Sequence, residues 1–171
     1  VMILLSAHDQ ERLREYAKKL LQFLQNRNIK HEGVNLADVA YTLQVGREAL
    51  NTRLGLIVSS LKILEEKLTA FLDNSKEIED LFLGQVKQNR EALSVFNADE
   101  DIDKIVTLWF DKDKHAKLMD LWVKGLSIDW NTLYENRFKK IEVRRISLPT
   151  SPFDTERYWI RNEHDDKATA G

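Results

Sequence analysis

The chain contains no cysteine. Disulfides and thiolate metal sites are therefore excluded, which suits a reducing, cytoplasmic setting. Charge of one sign is also lacking: 26 Lys and Arg stand against 28 Asp and Glu, a net charge of −2. Bulk electrostatics thus point neither to nucleic acid nor to an anionic membrane. No apolar run approaches the roughly 18–20 residues needed to span a bilayer. Glycine is scarce, with six residues, and never falls into GxGxxG, GxxxxGK[ST] or GxSxG. Phosphate-cradling loops and a nucleophile elbow have no signal. His8, His31, His115 and His164 lie in four separate polar segments with no HExxH among them, and read as surface histidines. Asp99, Glu100, Asp101 and Asp103 lack the glycine and terminal glutamate of a calcium loop, and read as helix-start acids. No catalytic residue, cofactor site or metal site is identified.

What is there is an ordinary globular composition, 43% hydrophobic and 32% charged over 171 residues, about one domain's worth. Val1–Leu5 reads as a buried strand and is too short and unflanked for a signal peptide. A strand at the very start, with no polar lead-in, is expected of a piece of a longer polypeptide. Asp9 is a plausible cap for a helix carrying Leu13, Tyr16, Ala17, Leu20, Leu21 and Leu24, stopping near Asn26–Asn28. Asn35 can cap a short helix with Leu36, Val39, Ala40 and Leu43, ended by Gly46.

"TRLGLIVSS", residues 52–60, alternates Leu54, Leu56 and Val58 on one face and reads as a second strand. Gly55 within it marks a position where another backbone packs closely. Ser59 or Ser60 then caps a helix bearing Leu61, Leu64, Leu68, Phe71 and Leu72, and "LFLGQV", 81–86, is a third strand. The fold class is α/β: a small three-stranded sheet with helices on one face, the other face needing some further cover. Strand directions stay open, since helical crossovers favour parallel neighbours but the loops are long enough to reverse.

After Lys87 the character changes. Ile102, Ile105, Val106 and Trp109 form one helical stripe, and Leu118, Leu121 and Trp122 repeat it in a second helix ending at Gly125. This is a short helical hairpin. Three of the four tryptophans fall between 109 and 130, in helices too short to be stable alone. Two such helices cannot cover three indoles together with Ile105, Leu108, Phe110 and Leu118. The remainder must meet the α/β body or another molecule. One further helical turn holds Trp130, Leu133 and Tyr134. Lys139, Lys140, Arg144 and Arg145 make a basic stretch that reads as a solvated rim rather than a nucleic-acid arm. "RRISLPTSPFDTERYWI", 144–160, holds both prolines and is biased to extended conformation. It reads as a strap anchored by Leu148, Pro149, Phe153, Tyr158 and Trp159. The residues alone point to a non-catalytic interaction or spacer domain.

Several stretches together resemble the region that follows a ketosynthase in modular polyketide synthases: "LSAHDQERLREYAKKLLQFL", "NLADVAYTLQVGREAL", "RLGLIVSS", "WVKGLSIDW" and the strap. Ser151 stands where such straps more commonly carry tyrosine. With a hairpin after Val86 and no acyltransferase GxSxG, the chain resembles the trans-acyltransferase branch. The resemblance implies a flanking subdomain over 1–87, a laterally interacting ketosynthase sequence over 88–136, a post-ketosynthase strap over 137–161 and a linker tail over 162–171. Lateral association needs a self-complementary apolar stripe. The candidates are Ile105, Leu108, Trp109, Lys112, Leu118, Leu121 and Trp122. Implied partners are the ketosynthase of the same chain and copies of the subdomain on neighbouring synthases. A freestanding acyltransferase or acyl carrier protein is the alternative partner, with Arg47, Arg53, Lys62 and Lys67 as docking candidates.

Overall fold

The computed structural model describes residues 1–30, 33–137 and 142–152. Three strands, β1 (Met2–Ala7), β2 (Thr52–Ile57) and β3 (Leu81–Gln85), form one sheet in the order β1-β2-β3. The open question of direction is settled, because both pairs are antiparallel, with Leu4 opposite Gly55 and Leu54 opposite Leu83. Helices α1 (Gln10–Lys30) and α2 (Leu36–Val45) lie between β1 and β2. Helix α3 (Leu61–Leu72) and segment 73–80 lie between β2 and β3. Two traverses in each connection return the chain to the end it left, so helical connections here join antiparallel neighbours.

Local chemistry explains the helix ends. Asp9 accepts from the Arg12 backbone N–H at 2.9 Å at the start of α1. The Asn35 side chain accepts from the Asp38 N–H at 2.8 Å, and the Ser60 hydroxyl from the Ile63 N–H at 3.1 Å. Each satisfies a helix donor that has no partner within the helix. At the far end of α3, Arg14 donates to the carbonyls of Phe71 and Leu72 at 3.2 and 2.6 Å. Helix α1 runs on to Lys30, two residues past its expected stop.

One face of the sheet carries Ile3, Leu5, Leu54 and Leu56 against Leu13, Leu20 and Leu24 of α1, Val39 and Leu43 of α2, and Leu64 and Leu68 of α3. The opposite face is covered by the same chain. Helices α4 (Val86–Asn97), α5 (Ile102–Asp111), α6 (His115–Lys124) and α7 (Trp130–Arg137) come after β3. Leu118, Met119, Trp122 and Val123 of α6 pack with Met2 and Leu4 of β1, Leu93 of α4, Ile102 and Val106 of α5, and Trp130 and Leu133 of α7. The three-stranded α/β sheet stands as expected, and the hairpin supplies the cover that its second face required. Helix α4 is not among the expected elements: only Leu93 of its twelve residues is buried, so its apolar signal is faint.

Close approach of α6 depends on two glycines. A Cβ on Gly84 would lie 2.4 Å from the Val123 carbonyl oxygen, and one on Gly55 would lie 3.1 Å from Met119 Sδ. Gly55 therefore faces a side chain, not the backbone expected there. The close backbone contact belongs to Gly84.

Candidate interaction surfaces

The hairpin has an inner and an outer side, and the seven lateral candidates divide between them. Leu118 is fully buried and Trp122 is 4% exposed, both beneath the sheet. They cannot belong to an external stripe, because packing against β1 and β2 already covers their surface. Leu121 is half-buried and packs on the same cluster. Ile105 and Trp109 are half-buried, with the Lys117 ammonium 4.9 Å from the Trp109 ring centre. Leu108, 48% exposed, and the exposed Lys112 face outward. Two outward apolar residues lie outside the expected stripe, Val95 and Phe96 of α4, at 74% and 45% exposure. Their only sequence signal is an adjacent apolar pair near the end of a helix that the residues barely announce.

The strap lies along α2. The Arg144 N–H donates to Asp38 Oδ1 at 3.0 Å, and the Ile146 N–H donates to Thr42 Oγ1 at 3.0 Å. Arg47 then donates to the Leu148 carbonyl at 2.9 Å. Asp38 is nearly buried and also receives the Asn35 side-chain amide at 3.1 Å, so one carboxylate serves both the helix cap and the strap. Leu148 is buried in the main core and Pro149 is half-buried. The remaining anchors, Phe153, Tyr158 and Trp159, lie outside the described residues. Alongside, Tyr134 of α7 donates to Gln44 Oε1, and Gln44 donates to the Met2 carbonyl at 2.7 Å. The Tyr134 ring also meets Tyr41 edge-on at 4.8 Å. Burial pushes the Tyr134 phenol up to about 12.

The four docking candidates do not form a basic face. Arg53 is only 8% exposed. It donates to the carbonyls of Leu50 and Trp122 at 2.9 and 2.8 Å and stacks 4.9 Å over the Trp122 ring. It is a buried bracket between β2 and α6, not a surface cation, and burial lowers its pKa to about 10. Arg47 holds the strap, and Lys67 donates to the Ile57 carbonyl at 2.9 Å. Of the four, Lys62 alone is exposed. Among the described residues no cluster of three or more His, Asp or Glu is placed to hold a metal, and no helix is long and apolar enough to cross a membrane.

This architecture matches known proteins. The family described as RhiE-like, KS-MAT linker domain matches residues 4–75, from β1 to just beyond α3. Polyketide synthase PksL of Bacillus subtilis (strain 168) is 45% identical over 93% of this chain and 3% of that protein. PksM of the same organism is 46% identical over 92% of this chain and 4% of the relative. The ketosynthase from module 6 of the bacillaene synthase of Bacillus subtilis 168 superposes with a TM-score of 0.77 at 34% identity, over 90% of this chain and 26% of that one. The ketosynthase from module 1 of the bacillaene synthase of Bacillus amyloliquefaciens FZB42 gives 0.71 at 36% identity, over 89% and 25%. The chain thus spans 3–4% of these synthases and about a quarter of these ketosynthase chains. Residues 4–75, the α/β body, match the RhiE-like KS-MAT linker domains, and the hairpin and strap share the longer likeness to the polyketide synthases and their ketosynthase chains.

Proposed function

We propose that this chain is the non-catalytic flanking subdomain of a ketosynthase in a cytoplasmic trans-acyltransferase polyketide synthase. In this reading residues 1–87 fix the geometry between the ketosynthase of the same polypeptide and its downstream domains. Residues 88–136 associate side by side with copies on neighbouring synthases, 137–161 form the return strap, and 162–171 lead on as linker. The observation that carries lateral association is the outward apolar set of Leu108 on the hairpin and Val95 and Phe96 on α4, beside a hairpin whose inner side is already taken up by the sheet. Each such contact is small, but a synthase presenting many in register multiplies them by avidity.

Sedimentation velocity across a wide concentration range tests this. The wild-type chain is expected to associate reversibly as concentration rises, while Leu108→Asp and Phe96→Asp remain monomeric with unchanged melting temperature. A wild type that is strictly monomeric at the highest concentration removes support for association by this chain. Docking of an acyltransferase or carrier protein on the body is the weaker reading, since Arg53 is buried and Arg47 is engaged by the strap.

A further inference from the structure

Where α2 ends and the strap passes over it, a cavity of about 450 Å³ opens between the sheet end, the turn after Gly46, the α6–α7 connection and Ser151. Two guanidinium groups line it. Arg53 is buried, and it meets the neutral Leu50 and Trp122 carbonyls and the Trp122 ring. Arg47 bonds the carbonyls of Gly46 and Leu148, and its Nε is buried with no partner. Among the described residues neither arginine has a carboxylate in ion-pair range. Tyr16, 3% exposed, has its hydroxyl beside Arg47 but in no hydrogen bond of ordinary geometry, and the hydroxyl of Ser151, 6% exposed, is likewise unpartnered. Glu48 is the cavity's one acidic residue. Its side chain is exposed, and it is its backbone carbonyl that accepts from Ser6.

A buried cation without a counter-charge is costly, and so is a buried donor without an acceptor. Arg47 Nε can only donate, whereas the Tyr16 and Ser151 hydroxyls can donate as well as accept, and the Tyr16 oxygen faces Arg47. The neighbouring carbonyls of Gly46, Leu50, Trp122 and Leu148 already accept bonds. What the cavity lacks is a negative charge to face its two arginines, which an oxyanion supplies together with strong acceptors. We propose that this cavity is a binding site for a small oxyanion, a carboxylate or phosphate group, received by Arg47 and Arg53 with the Tyr16 and Ser151 hydroxyls. The site does not depend on lateral association.

The test uses this 171-residue chain, titrated separately with inorganic phosphate and with succinate against sodium chloride of matched ionic strength. It is read by thermal unfolding and by ¹H–¹⁵N chemical shifts. At least one of the two anions should give a saturable rise in melting temperature and shift the Ser6, Arg53 and Ser151 amides. Whichever acts at lower concentration identifies the favoured group. Tyr16→Phe keeps the buried ring and removes only the hydroxyl. It should weaken binding several-fold, and Arg47→Gln should abolish it. Shifts no larger than those from chloride, or binding retained in Arg47→Gln, overturn the proposal. So does binding that appears only when Asp154→Asn and Glu156→Gln are combined, because the chain would then fill the cavity with its own carboxylate.

Discussion

The two faces of one small sheet are covered by different means. On the first, α1 and α3 bring an aliphatic layer of Leu13, Leu20, Leu64 and Leu68, each fully buried. Its contact with the sheet is aliphatic, and the polar ties lie at its margins: Arg14 joins α1 to the end of α3, and Lys67 bonds the Ile57 carbonyl at the end of β2. On the second, α6 comes so near that Gly84 has no room for a methyl group, and Arg53 joins the two elements through the Trp122 carbonyl and ring. The first face rests on the quantity of apolar burial, the second on closeness of approach and one buried cation. The first should weaken in proportion to the volume removed, whereas the second should fail at particular atoms.

The largest expected effect is on the first face. Leu64→Ala removes a fully buried side chain from the main cluster and should cost about 2–5 kcal/mol in denaturant unfolding. Next comes Gly84→Ala, which forces a methyl group against the Val123 carbonyl and should cost about 1–3 kcal/mol. Its loss should be accompanied by a shift in Trp122 fluorescence that Leu64→Ala does not produce in the folded state. Were Leu64→Ala to move that fluorescence equally, the two faces would be one layer energetically and the distinction would collapse.

A smaller effect sits where the two layers join. The folded chain keeps the Tyr134 phenol protonated up to about pH 12, whereas exposure on unfolding returns it to its ordinary value of 10.0. The unfolded state therefore loses its proton first. This contribution to stability is full below pH 10 and declines as pH rises from there towards 12. Tyr134→Phe should flatten that alkaline decline while lowering stability slightly near neutrality through loss of the Gln44 bond. A decline of equal slope in the variant would exclude Tyr134 as its source. Smallest of all, Leu108→Asp on the outer side of the hairpin should change stability by no more than about 0.5 kcal/mol in the monomer. A larger loss would mean that the outer side carries packing of its own.

Much of the first face was legible in the residues. The spacing of Leu13, Leu20 and Leu24, the alternation of Leu54, Leu56 and Val58, and the caps at Asn35 and Ser60 each state a local preference that packing then obeys. The second face was not, for physical reasons. Helix α6 carries Leu118, Met119, Leu121, Trp122 and Val123 within six positions, so periodicity alone does not say which side turns inward. Arg53 in a strand reads as a solvent-facing cation until a helix carbonyl is found above it. Strand direction also escaped, since it depends on how many times each connection crosses the sheet. Of the strap, the apolar character that buries Leu148 was legible, but the partner helix was not, because Asp38 and Thr42 read equally well as residues of an ordinary capped helix.

The strap's seating on α2 has a metrical consequence. Its successive contacts fall at Arg144, Ile146 and Leu148, every second residue, while α2 answers at Asp38 and Thr42, one turn apart, and Arg47 answers just past its end. Four helical residues advance about 6 Å, and two extended residues advance about 6.6 Å. The two scales run nearly in step, like a vernier against its rule. Sliding the strap by two residues brings the next notch into place, but sliding it by one turns its bonding N–H and C=O groups to the wrong side. The length of chain between α7 and the strap is thus read in units of two, and whatever departs beyond Pro152 leaves from a point set by that count.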